Sequence, residues 1–222
     1  MLAPTKWSID EDCQCRGGGR RLCDFGRILR RATAEEVDDA PQVILFPEIA
    51  YDADRFVARV ERVIRRNRWC AVVVAEGIRD ADGRPVATVT HRKPSKYGPL
   101  GGVAPGIAEL AGSALGLKYQ WAVASYLQRA ARHLASATDL ELAYRVGVEA
   151  VRLAASGANG VMPSIERTSD QPYRWRVRTV PLARVANRER RVPRDFISAD
   201  GFHITARARR YLTPLVAGEA FP

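Results

Sequence analysis

Two short apolar runs, Val43-Ile44-Leu45-Phe46 and the segment Trp69 to Ala75 (WCAVVVA), flank one amphipathic stretch, and this arrangement constrains the fold more than any other feature of the chain. An apolar run of about 4 to 8 residues closed by a turn residue marks a strand buried on both faces, the kind found in parallel sheets. The first such strand, Gln42 to Phe46, is closed by Pro47. Between the runs, Phe56, Val57, Val60, Val63 and Ile64 recur at helical spacing behind Asp52 or Asp54, either of which can cap a helix by accepting from its first unpaired N–H groups. Arg59, Arg62, Arg65, Arg66 and Arg68 take the other face, which reads as solvated in preference to a polyanion site. Strand, helix and strand make a βαβ unit expected to be right-handed, so the chain is read as an α/β fold around a parallel sheet.

In such sheets ligands sit outside the carboxyl ends of the strands. Glu76-Gly77 ends the second strand, and a carboxylate there is placed for function. Gln120 to Tyr126 (QWAVASY) reads as a further strand that delivers Tyr126 and Arg129 to a similar position. A carboxylate accepts from sugar hydroxyls, and an arginine holds a phosphate through charge-assisted bonds of about 1.5–3 kcal/mol each. The set therefore suits a sugar phosphate, and a structural Glu–Arg pair would use the same residues. A turn at Asp80-Ala81-Asp82-Gly83 leads towards a glycine-rich basic loop, His91 to Gly102, which enters an apolar helix at Pro105 to Leu115. A helix N-terminus of this kind favours an anion, but the loop is not a Walker A motif and serves equally as an ordinary connection.

Further along, Thr138-Asp139-Leu140-Glu141 has the spacing of a capping box. The helix it opens is expected to turn Leu142, Ala143, Val146, Ala150, Leu153 and Ala154 inward and to stop at Ser156-Gly157. Val161 to Ile165 and Tyr173 to Val180 read as strands, and Ile204 to Val216 as a last helix with Pro214 near its end. From Met1 to Thr33 neither periodicity is sustained, and no element is readable.

The chain has 222 residues, 46% of them apolar, which is enough for a core, and no apolar run approaches the ~20 residues that span a bilayer. Acidic residues stand where a signal peptide needs a basic and then an apolar stretch, so a cytoplasmic protein is expected. The net charge of +10 rests on 31 Arg and only 4 Lys, a skew that resembles coding bias more than a phosphate-binding surface, and nucleic acid is not expected as a partner. Cys13, Cys15, Cys23 and Cys70 lack the paired spacing of a zinc site, and His91, His133 and His203 join no second ligand at metal spacing. The thiols are read as reduced and the histidines as structural.

Five stretches carry a resemblance: VILFPEI from Val43, VVVAEG from Val72, THRKPSKYGPLGGVAPGIAEL from Thr90, YLQRAARH from Tyr126 and PRDFISADGF from Pro193. In this order they resemble the phosphofructokinases, in particular the pyrophosphate-dependent bacterial class. The match runs from about Ala34 to Pro222, leaving residues 1–33 as a segment without a family match and 34–222 as a phosphofructokinase part. The resemblance implies a Rossmann-like three-layer α/β/α fold, here incomplete, the C-terminal fructose-6-phosphate-binding part of a two-domain enzyme. It also implies a glycolytic phosphotransferase that phosphorylates the 1-hydroxyl of fructose 6-phosphate, with Mg²⁺ as cofactor, pyrophosphate or alternatively ATP as donor, and a homo-oligomeric state. Residue by residue, Glu76 matches the family's sugar-binding glutamate, and Tyr126, Leu127, Gln128 and Arg129 match its sugar-phosphate motif, in which Arg129 holds the 6-phosphate. ATP-dependent relatives tend to have His where Tyr126 stands, which favours pyrophosphate. Those relatives also reach a neighbouring subunit's site with an Arg on the preceding strand; Gln120 stands at about that place, so the reach is not implied here.

Phosphoryl transfer needs a donor cradle, metal carboxylates and a base for the hydroxyl proton. The family supplies them from a Gly-Gly loop, a Gly-Gly-Asp motif and a Thr-x-Asp motif in its N-terminal half. None of the three stands at a matching position, so no catalytic and no metal-binding residue is carried over. Asp38-Asp39 lacks the preceding glycines and reads as a solvated turn. Asp24-Phe25-Gly26-Arg27 has a faint likeness to the family's Met-Gly-Arg motif at the wrong spacing. The expectation is a truncated form without its donor and catalytic half, with a non-catalytic sugar-phosphate-binding or partner subunit as the alternative.

Overall fold

The computed structural model describes residues 6–10, 41–86, 103–122, 135–188 and 191–218. Strands β1 (Lys6–Asp10), β2 (Val43–Leu45), β3 (Ala71–Val74) and β4 (Lys118–Ala122) form one parallel sheet in the order β2-β3-β1-β4. Strands β5 (Val161–Asp170) and β6 (Tyr173–Pro181) form a separate antiparallel pair. The helices are α1 (Ala53–Asn67), α2 (Val103–Leu115), α3 (Ala137–Ala155) and α4 (Ala206–Leu212), the last followed by a 3₁₀ turn over Thr213–Val216.

The βαβ unit forms as its pattern dictates. Asp52 caps α1, its Oδ1 accepting from the Arg55 N–H at 3.0 Å, while Asp54 in the first turn and Arg65 and Arg66 in the last complement the helix dipole. Arg68 closes the helix in the left-handed region at φ 68°, its N–H returning 2.8 Å to the Ile64 carbonyl. Phe56, Val60 and Val63 face Val43, Leu45, Val72 and Val74, and all seven are buried. Burial of each such side chain contributes about 1.5–3 kcal/mol, which makes this unit the firmest part of the sheet. Helix α2 completes the same core with Val103, Ala104, Ile107, Ala108 and Ala111. It begins at Val103, two residues before the expected start, because Pro105 is tolerated in a first turn whose N–H groups have no helical acceptor. Gly112 admits the Tyr119 ring where a Cβ would stand 2.2 Å from its Cδ1, and so sets the close approach of α2 to β4.

The segment without a readable element holds β1, which sits between β3 and β4 with Ser8 opposite both Ala71 and Gln120. The outer edge of β2 is covered, since the Ile44 N–H donates to the Phe202 carbonyl at 2.9 Å.

Three further expectations are corrected. Helix α3 is capped by Ser136 and not by Thr138: Ser136 Oγ accepts from the Asp139 N–H at 3.0 Å and donates to the Leu215 carbonyl at 2.7 Å. None of the α3 residues is buried; Leu142, Val146 and Leu153 are half-buried, and Ala143, Ala150 and Ala154 are exposed. Among the described residues this helix meets chiefly the two-stranded pair and the last 3₁₀ turn, too little surface to bury a stripe. Strand β5 continues beyond Ile165 to Asp170, because its polar half is held by pairing: Glu166 lies opposite Arg176, and its carboxylate accepts from Arg176 and, at 2.9 Å, from Arg178. The pair is fastened to α4 by Arg167, whose guanidinium lies between the Tyr173 and Tyr211 rings at 4.8 and 4.6 Å and donates to the Tyr211 carbonyl at 2.6 Å.

Candidate functional site

All four strands of the parallel sheet run the same way, so their carboxyl ends share one edge. Asp10, the last residue of β1, lies opposite Val73 on one side and Ala122 on the other, and Leu45 lies opposite Val74. Strand β3 opens there into a turn in which Glu76 is half-buried. Beside it, β2 opens into Pro47-Glu48, and the two tips touch closely enough that a Cβ on Gly77 would stand 3.8 Å from Pro47 Cβ. Strand β4 ends at Ala122 on this edge. Tyr126, Leu127, Gln128 and Arg129, which follow it, lie outside the described residues, as do His91, His133, Asp24 to Arg27, Asp38, Asp39 and the basic loop before α2.

Glu48 was not singled out in the sequence. Its Oε1 accepts from the Val192 N–H at 2.8 Å, and its Oε2 is buried with no hydrogen-bond partner. The carboxylate thereby ties the stretch before Pro193 to the sheet edge, a role whose only local signal is the Pro-Glu pair closing an apolar strand.

Of the remaining candidate groups, Cys70 and His203 lie among the described residues. Cys70 is buried, and burial pushes its thiol up to about 12 in spite of the opposing charge of Arg59, so it stays protonated and unreactive at neutral pH. Cys13, Cys15 and Cys23 lie outside the described residues. Burial lowers the His203 imidazole, with Arg209 and Arg59 acting in the same direction, and its Nδ1 accepts from the Ile204 N–H at 2.9 Å. Among the described residues no group of three or more His, Cys, Asp or Glu side chains could hold a metal ion. Among the same residues no helix is long and apolar enough to cross a membrane.

No protein-family model matches the sequence. The pyrophosphate-fructose 6-phosphate 1-phosphotransferase of Methylococcus capsulatus is 53% identical over 189 residues, 85% of this chain and 45% of that relative. Over this span the chain is similar to the phosphofructokinases. The Halomonas elongata protein of the same name is 52% identical over 184 residues, 83% of this chain and 44% of its own length. The crystal structure of a pyrophosphate-dependent phosphofructokinase from Nitrosospira multiformis superposes with a TM-score of 0.75 at 38% identity, over 99% of this chain and 50% of that one. The fold is thus a partial phosphofructokinase α/β fold, and the chain spans about half the length of the relatives it matches.

Proposed function

We propose that the chain supplies the fructose-6-phosphate-binding part of a pyrophosphate-dependent 6-phosphofructokinase. The observation that carries this reading is the joining of β3 and β4 through β1, which opens the strands leading to Glu76 and to Tyr126–Arg129 on one edge of one sheet. At about 4.8 Å per strand their ends stand roughly 10 Å apart, a span a hexose phosphate bridges. On this reading Glu76 accepts from a sugar hydroxyl, and Arg129 holds the 6-phosphate through its planar fork of donors, with Tyr126, Leu127 and Gln128 shaping the approach. That the relatives at 52–53% identity are pyrophosphate-fructose 6-phosphate 1-phosphotransferases supports pyrophosphate over ATP as the donor.

In the complete reaction the 1-hydroxyl oxygen of fructose 6-phosphate bonds to a phosphorus of pyrophosphate. The bridging P–O bond breaks, inorganic phosphate leaves, and a base takes the hydroxyl proton. When bound, Mg²⁺ would offset the charge of the donor. This chain's share is to bind and orient the acceptor, since the motifs for the donor, the metal and the base have no counterpart at matching positions. Orientation alone does not supply the ~8–23 kcal/mol of barrier lowering that enzymes reach. The setting we propose is a cytoplasmic, homo-oligomeric enzyme.

Calorimetry and a coupled assay on the purified 222-residue chain test this reading. Fructose 6-phosphate is expected to bind, Arg129→Ala to weaken binding by about tenfold or more, and Mg²⁺ with pyrophosphate or ATP to give no turnover. An affinity unchanged in Arg129→Ala would remove that residue from the site, and robust turnover by the chain alone would overturn the assigned division of labour.

A further inference from the structure

A second cationic feature lies on α1, lined by none of the residues assigned to the sugar phosphate. Arg55, Arg59 and Arg62 stand at i, i+4 and i+7, and with Ala58 they form one wall of a groove of about 230 Å³ whose other wall is Asp200 and Phe202. The arginines on this helix read from sequence as a solvated face, and Arg65 fits that description, paired with Glu61 at 2.6 Å in the open. Arg59 does not, since its side chain is only 25% exposed and stands beside Asp200.

Donors outnumber acceptors in the groove. Arg55 Nη2 donates to the Asp200 carbonyl at 3.2 Å, and its guanidinium lies 5.7 Å over the Phe202 ring. Arg59 Nη1 stands 3.7 Å from Asp200 Oδ2, beyond hydrogen-bond distance, and its Nε is buried with no acceptor. Arg62 has no hydrogen bond or ion pair among the described residues. Asp200 is the one carboxylate in the lining, and its Oδ1 already accepts from Ser198 Oγ and from the Phe202 N–H. Three guanidiniums thus line a groove that holds a single carboxylate, and of the three only Arg59 stands within ion-pair distance of it. A buried N–H without an acceptor is costly, and a tetrahedral oxyanion is the compact group that accepts from two guanidinium forks together.

We propose that this groove binds a phosphate dianion, inorganic phosphate or a phosphate monoester, between Arg59 and Arg62. The site is independent of the sugar-phosphate site, and its test is run with that site disabled. Calorimetry on the full chain carrying Arg129→Ala, at low ionic strength, is expected to show saturable binding of inorganic phosphate; a parallel titration with methyl phosphate shows whether the monoester is accepted. Adding Arg62→Gln is expected to weaken binding by about tenfold, and Arg62→Lys, which keeps the charge but loses the fork, by less. Arg62 is exposed, and matching circular dichroism spectra establish that the variants are folded. An affinity unchanged within twofold in Arg62→Gln, or no saturable phosphate binding in the Arg129→Ala background, overturns the proposal.

Discussion

His203 accepts from the Ile204 N–H through Nδ1, which only the unprotonated nitrogen can do. Burial lowers its affinity for a proton, Arg209 and Arg59 lower it further, and Asp200 opposes them only in part. An unfolded chain takes up that proton near the ordinary imidazole value of about 6.5, while the folded chain does so only at lower pH. The stability contributed by neutral His203 is therefore complete above about pH 6.5 and declines as the pH falls from there to the lowered folded value. Asp200 acts in a separate window: burial raises its carboxyl, the bonds from Ser198 and Phe202 and the charge of Arg59 outweigh that, and its contribution fades only as the pH drops below about 4. Urea unfolding at about pH 7.5 and 5.5 should show wild type losing more stability than His203→Gln. Equal losses in the two proteins would mean that His203 is not held neutral. At this scale the sequence was legible where a residue's place follows from its own strand, as for Glu76. It was silent where the partner is distant, as for Glu48, whose acceptor role depends on Val192, 144 residues away.

Element ends show the same division. The cap of α1 was legible as far as Asp52 or Asp54, because both precede a clear apolar stripe, and the bond from the Arg55 N–H picks out Asp52. The cap of α3 was not, because Ser136 to Asp139 and Thr138 to Glu141 have the same spacing, and the tertiary bond from Ser136 Oγ to the Leu215 carbonyl decides between them. Strand β1 was missed because five residues alternating Lys-Trp-Ser-Ile-Asp give only two apolar positions, close to a glycine triplet that suppresses any longer pattern. Ser136→Ala removes a cap and strips the Leu215 carbonyl of its donor, a loss of about 1–3 kcal/mol. Chemical denaturation should show that loss in Ser136→Ala and little change in Thr138→Ala; the reverse order would return the cap to Thr138.

For the whole molecule, the fold class and the βαβ core were legible because hydrophobic periodicity is a local property. Strand order was not, because it records which distant segments pair. The order β2-β3-β1-β4 makes residues 6–10 an inner strand, bonded to β3 on one side and β4 on the other. Proline at Ser8 takes away a backbone donor in mid-ladder and inserts a ring where β3 and β4 flank the chain, a position sheets reserve for other residues. Ser8→Pro is expected to cost at least ~1–3 kcal/mol and to lower the thermal midpoint by several degrees. An unchanged midpoint would take residues 6–10 out of the sheet.

The inner place of β1 also sets a timetable for the growing chain. Its partner β4 is made about 110 residues later, and at the usual ~5–20 residues per second the ribosome needs roughly 6–22 seconds to reach it. Throughout that interval β3 can pair with β1 and β2, but the far side of β1 stays an open edge able to accept a strand from any neighbouring nascent chain. Crowded polysomes translating this message are where misassembly would begin, and a chaperone that shields strand edges is the factor on which its yield should depend most.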